Sequence, residues 1–321
     1  MTETINTPNQ PIVSLNQDIS RPSRGLAKDA WGRLIRNKAS VIGMIIIGLF
    51  TLVAIFASVL VPHSPIQIHS GKNFLPPAWV QEFNGKTGDP DYLLGTDTLG
   101  RDVFSRVLYG ARVSMVVGLI PTAIIMILGT IVGMIAGYFG GRLDNLLMRL
   151  TDVVYAFPDL LFFIIVMVSL RDSFIGQLLN GLLLLFMALA IVNWVGVARL
   201  VRGQVLRARE FEYVQAARAL GAGAPRILWR HVIPTALPVV VVQATLGMAG
   251  AILGEAALSF LGLGVQPPTP SWGTMLNGGR AHLLDAPHLT LFPGLAIALL
   301  VLGFNFVGDG LRNLTDPKHE P

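Results

Sequence analysis

The chain contains no cysteine. Disulfides and thiolate metal sites are thereby excluded, and any segment outside the hydrophobic interior must be held by packing alone. Charge is also scarce. Asp, Glu, Lys and Arg make up 13% of 321 residues, against 52% apolar residues and a mean hydropathy of +0.61. Soluble domains carry about 25% charged residues, so this composition points to a membrane. Nucleotide signatures are missing as well. Gly85-Lys86-Thr87 looks like the end of a phosphate loop, but Val80 stands where that motif needs its first glycine. Gly221 and Gly223 would need a third glycine at the position of Arg226 to bind a dinucleotide. No Ser/His/Asp arrangement or H-E-x-x-H helix supports a membrane enzyme. The six histidines are scattered; His63/His69 and His282/His288 have no carboxylate directly beside them in sequence, which favours solvent-exposed rings over a metal site.

What is present is a set of long apolar runs. Crossing about 30 Å of hydrocarbon takes roughly 20 apolar residues, and six candidates occur: Val41–Val61, Val113–Phe139, Val153–Leu170, Ile175–Ala198, Thr235–Gly254 and Leu289–Val307. The expected fold is therefore an all-α integral membrane protein of six transmembrane helices. The third run is the shortest, and Pro158 suggests a surface helix ending there and a span beginning. Of 24 Lys and Arg, 17 lie on one side when the N-terminus is placed inside. By the positive-inside rule both termini are cytoplasmic, and the seven arginines of 199–231 carry most weight.

Residues 1–25 have a disordered composition. In 26–38, Leu26, Ala30, Trp31, Leu34 and Ile35 recur at helical spacing beside Lys28, Arg33, Arg36 and Lys38. This reads as an interfacial amphipathic helix, or a plain orienting signal, ahead of the first span. Forty mostly polar residues before a 21-residue apolar run do not resemble a cleaved signal. The formal charge of +5 lies mainly on the expected inner face, where anionic headgroups suffice as partners and nucleic acid is not needed.

Residues 210–234, EFEYVQAARALGAGAPRILWRHVIP, are longer than a connection between spans requires. A small-residue helix over Glu210–Leu220 is broken by Gly221, which adopts the left-handed backbone easily. Pro225 is suited to open a second helix, and Pro234 is expected to stop it. Ala216, Ala217, Ala219, Ala222 and Ala224 leave a surface that another protein can approach closely.

This segment resembles the EAA loop of ABC importer permeases, whose pattern is Glu-Ala-Ala, three residues, Gly, nine residues, then Ile-x-Leu-Pro. Gln215, Ala216, Ala217, Gly221, His231, Ile233 and Pro234 take those positions, with Gln for Glu, His for Ile and Ile for Leu. Three further runs resemble the C-type permeases of oligopeptide and dipeptide importers: GTDTLGRDVFSR at 95–106, LSFLGLGVQPPTPSWGTML at 258–276 and FNFVGDGLRNLTDPK at 304–318. The resemblance implies a type I importer permease fold, with a tail (1–40), a first span (41–61), an outer loop (62–112), a five-helix transport domain (113–310) and a second tail (311–321). It implies that Phe211, Gln215, Ala216, Ala217, Arg218, Gly221 and Pro234 dock an ATPase subunit. The partners implied are a second permease, two ATPase subunits and an extracytoplasmic binding protein. No cofactor is expected on this chain; ATP and Mg belong to the ATPases. Peptides are the expected cargo, with nickel complexes, glutathione or saccharides as alternatives within the class. Outside the class stand an ion-coupled secondary transporter, which would want midplane charges, and a scaffold without transport.

Few groups near the spans could do chemistry. Glu255 falls about 30 Å along its helix from Thr235, near the outer interface. It is the candidate for a gate or path, together with Gln266 and Trp272. Asp159 suits a helix start, and Asp309 lies at the inner end of the last span. The apolar stretch Ala256–Val265, closed by Gln266-Pro267-Pro268-Thr269-Pro270, reads as a re-entrant element or as a rigid turn. Gly129, Gly133 and Gly137 form a small-residue ridge permitting a close helix crossing, within the subunit, with the fifth span or with a partner permease.

Overall fold

The computed structural model describes residues 31–32 and 34–315, and no strand occurs among them. Backbone polar groups in hydrocarbon must be satisfied within the chain, and a helix does this within one segment. Five helices are long and apolar enough to cross a membrane, and there are six crossings if one bent pair counts as a span.

α1 (Lys38–Leu60) starts at Asn37, whose side chain accepts from the Ala39 and Ser40 amides. Just before it, Leu34 is buried while Trp31 and Ile35 are exposed, one turn of the expected amphipathic pattern. Leu26, Lys28, Ala30 and Arg33 lie outside the described residues.

α2 (Val103–Phe139) starts ten residues before the expected second span, giving one element of 37 residues. Its cap is Asp102. Asp102 accepts from the Phe104 amide at 3.1 Å and the Ser105 amide at 3.2 Å. Asp97 is engaged elsewhere, by the Leu99 amide and by the amide and Nε of Arg101.

α3 (Gly141–Tyr155) and α4 (Asp159–Leu170) meet at a bend of 78°. The run expected as one span from Val153 is therefore divided. Pro158 has no amide hydrogen to continue α3, and a new helix starts at Asp159. Twelve residues give α4 a length of about 18 Å, short of a full crossing on its own.

The fourth span starts at Phe174, one residue from the expected Ile175, but residues 178–181 are irregular, with Leu179 and Asn180 at positive φ, so its long helix is α5 (Leu182–Ala208). α6 (Glu212–Ala219) is short, and α7 (Ala224–Phe260) spans 37 residues. α8 (Trp272–Gly279) and α9 (His288–Thr315) complete the chain.

α2 and α5 lie close together along the glycine ridge. A Cβ at Gly129, Gly133 or Gly137 would stand 2.5 Å from Val197 Cβ, 2.4 Å from Ala198 O and 2.8 Å from Val205 Cβ. The ridge thus faces the fourth span of this same chain. Residues 62–102 and α8 share one end of the bundle, and the 210–234 segment sits at the other.

Candidate functional site

The 210–234 segment forms an elbow between α5 and α7. α6 ends with two reversed hydrogen bonds, Ala222 N to Ala217 O and Gly221 N to Arg218 O, both at 3.0 Å. That closure places Gly221 at φ +83°, and a Cβ there would meet open space, so the constraint is on backbone and not on room. One side of the elbow is anchored. Val214, Ile227 and Val232 are fully buried against Val201, Val205 and Ala208 of α5. The other side faces outward: Gln215, Ala216, Arg218 and Ala219 are exposed, and Leu220 is 88% exposed.

The second arm differs from the expectation. Pro225 sits in the first turn after Gly223, but Pro234 does not stop the helix. The five residues Leu228–Val232 widen into a π-helical turn and the chain continues unbroken to Phe260. A wider turn relieves the clash between a proline ring and the preceding turn and tolerates the missing donor. The elbow's second arm is therefore continuous with the rest of α7.

Several contacts hold the elbow's base. Gln215 Nε2 donates to Glu210 O at 3.2 Å, the Arg218 guanidinium stands 5.6 Å from the Tyr138 ring, and Arg209 donates to Gly137 O at 3.3 Å. Phe211 is half-buried, tilted against Tyr213 at 5.6 Å. Sequence reasoning passed over Leu220, although a leucine directly before a helix-ending glycine is a tip position. It also passed over Asp144, whose partner Arg202 lies 58 residues away.

At the opposite end, Glu255 and Trp272 come together but not at water. Glu255 is 1% exposed and accepts from Ser259 Oγ at 2.6 Å; Ser259 Oγ also accepts from the Val265 amide. Glu255 lies toward the end of its helix, as its distance from Thr235 implied, and protein encloses it there on every side. Residues 256–260 are the last turns of α7, and the short helix that packs back is α8, not Ala256–Val265. Trp272 is fully buried; its Nε1 donates to Val107 O at 2.9 Å and its ring lies where a Cβ on Gly110 would be, 2.7 Å from Cδ1. Gln266 is half-buried and ties its loop to the lead-in of α5, through its amide to Asn180 O and Nε2 to Gly176 O.

Residues 62–102 are held without disulfides by a polar knot. Asp97 pairs with Arg101 at 2.7 Å and faces Arg106 at 3.6 Å, while Arg106 donates to Pro65 O. Thr96 Oγ1 bonds Lys72 O and accepts from the Leu75 amide. The Lys72–Asp89 pair raises the Lys72 pKa and lowers that of Asp89, mainly through their hydrogen bond, and burial pushes the Tyr92 phenol up. The histidines depart from the expected exposure. His63 stacks on Tyr92 and stands 3.4 Å from Asp102, a carboxylate 39 residues away in sequence; His288 is buried on Thr96 O.

The bundle of apolar helices with its protruding elbow has the type I ABC importer permease fold, as comparison with a solved transporter and a family model shows. A chain of the MetNI methionine ABC transporter, in an inward-facing conformation, matches it with a TM-score of 0.52 at 18% identity, over 66% of this chain and 97% of that one. The chain belongs to the binding-protein-dependent transport system inner membrane component family, whose model matches residues 129–320. The N-terminal domain of oligopeptide transport permease C matches residues 25–77. The dipeptide transport system permease protein DppC of Alkalihalophilus pseudofirmus is 42% identical over 91% of this chain and 90% of its own. The oligopeptide permease protein OppC of Bacillus subtilis is 40% identical, covering 94% and 93%, and the glutathione permease protein GsiD of Pectobacterium atrosepticum 38%, covering 91% of both. The chain is a multi-pass protein of the bacterial inner membrane.

Proposed function

We propose that this chain is one permease of an ATP-driven importer for short peptides and that its elbow seats in a separate ATPase subunit. The observation that carries the proposal is the elbow's division into two faces. Val214 and Ile227 fix it to the bundle, while Gln215, Ala216, Arg218 and the apolar tip Leu220 stand exposed. An apolar side chain that far out in water, at a helix end of small residues, suits a groove in another protein. Because the second arm runs unbroken into α7, displacement of the elbow moves a helix that crosses the membrane.

Membership of the family supports the remaining assembly. A second permease completes the path, two ATPase subunits bind and use ATP and Mg, and an extracytoplasmic binding protein delivers cargo; this chain itself needs no cofactor. The Lys and Arg distribution supports a cytoplasmic elbow with both termini inside. Relatives named for dipeptides, oligopeptides and glutathione share amide-linked amino acids as cargo, which favours peptides over nickel complexes. Purification from the native membrane tests the reading. A P-loop ATPase should travel with the chain, and Leu220→Asp should release it while the chain stays in the membrane. Uptake that persists without any ATPase and follows an ion gradient would favour a secondary transporter instead.

A further inference from the structure

Between α1, α2, α7 and α9 runs a crevice of about 490 Å³, open along the side of the bundle. Ile47, Ala54, Met115, Leu119, Met248 and Phe304 make its walls apolar. Thr51 also lines it but turns its hydroxyl to Ile47 O at 2.7 Å, within its own helix. That leaves one charged group at the crevice, Arg112.

Arg112 is held in place but not neutralised. Its Nε donates to Ala54 O at 2.9 Å, and Nη2 donates to Ile55 O at 3.1 Å and Ser58 Oγ at 3.3 Å. These acceptors belong to the last turns of α1, so the guanidinium lies near the end of that span. No carboxylate oxygen lies within 4.0 Å of it among the described residues, and Nη1 has no hydrogen-bond partner there. The Tyr109 ring lies 5.2 Å from the guanidinium, an amphipathic group of the kind found at headgroup level. A cation beside hydrocarbon is costly unless an anion meets it.

We propose that this crevice holds one anionic phospholipid, an acyl chain lying along Ile47, Met115 and Phe304 and the headgroup phosphate on Nη1 of Arg112. The volume falls in the roughly 300–1,000 Å³ range of small-molecule sites. A planar guanidinium already oriented by two carbonyls is suited to a phosphate. The apolar walls and the single charge at one end match the two halves of a lipid, and neither a free phosphate nor a soluble ligand would use both.

The test uses the full chain with the subunits that co-purify, in nanodiscs. Phosphatidylglycerol and phosphatidylcholine are supplied separately, each carrying the same diazirine-labelled acyl chain, and labelled peptides are mapped. Labelling over residues 47–55 and 115–119 should be about fivefold stronger with phosphatidylglycerol, the preference one basic residue near a membrane surface supplies. Arg112→Gln, which keeps a donor for the α1 carbonyls, should equalise the two lipids, and Arg112→Lys should retain the preference. Equal labelling in the unaltered chain, or an undiminished preference in Arg112→Gln, would overturn the proposal. So would a neighbouring protein copy crosslinking there in place of lipid. Should Arg112→Gln not accumulate, the comparison of the two headgroups on the unaltered chain decides alone.

Discussion

Arg202 of α5 and Asp144 of α3 meet side by side, Nε to Oδ1 at 2.6 Å and Nη2 to Oδ2 at 2.7 Å. The pair is the main polar tie between α5, which leads into the elbow, and the surface helix α3. Asp144 is 8% exposed, so this partner supplies hydrogen bonds that water cannot readily replace. A lysine at 202 supplies a point charge without the planar fork. Arg202→Lys and Asp144→Asn should each lower stability by about 1–3 kcal/mol, read as a drop of several degrees in thermal unfolding of the detergent-solubilised protein. Unchanged unfolding in both variants would show the pair to be incidental.

Gly221 should be indispensable for coupling and dispensable for insertion. Its φ of +83° is one that a β-branched residue resists, although space around it is open. Gly221→Val should abolish uptake at normal membrane level. Gly221→Asn, which tolerates this backbone better, should keep a measurable fraction. Normal uptake by the valine variant would separate the elbow from coupling.

Trp272 and Gly110 should behave as a unit. A methyl on Gly110 would collide with the indole at 2.7 Å, so Gly110→Ala should cost about 1–3 kcal/mol as overpacking. Trp272→Phe loses the hydrogen bond to Val107 O, worth about 1 kcal/mol. Combining them should cost less than the sum, because the smaller ring makes room. Strict additivity in denaturation measurements would contradict the contact.

Sidedness is open to direct labelling, since the chain has no cysteine of its own. Cysteines at Asn84, Asp172 and Leu284, all exposed, should react with an impermeant thiol reagent on intact cells. Those at Asn145 and Leu220, exposed at the elbow end, should react only after the membrane is opened. Labelling at 220 from outside would reverse the orientation and remove the elbow from ATP.

Much of this protein was legible in one dimension. Helices in hydrocarbon satisfy their backbone locally, so apolar run length alone located the crossings, and a proline without an amide hydrogen located the break at 158. Gly221 was equally legible, because a helix ending followed by small residues is a local pattern. Helix extents were not. α2 begins ten residues before Val113, capped by Asp102, whose carboxylate is also held by Ser105 and by His63 from 39 residues away. Pro234 gave the wrong stop because a π turn upstream absorbs it.

The sequence by itself determined the membrane class, the crossings and the elbow, each governed by neighbours within a few residues. Tertiary structure alone decided that Glu255 is sealed in protein, that the glycine ridge faces α5, that His63 meets Asp102 and that Arg112 stands beside an apolar crevice. Those outcomes depend on contacts between residues tens to more than a hundred positions apart. No local pattern of charge or hydropathy specifies which of several helices will supply the partner.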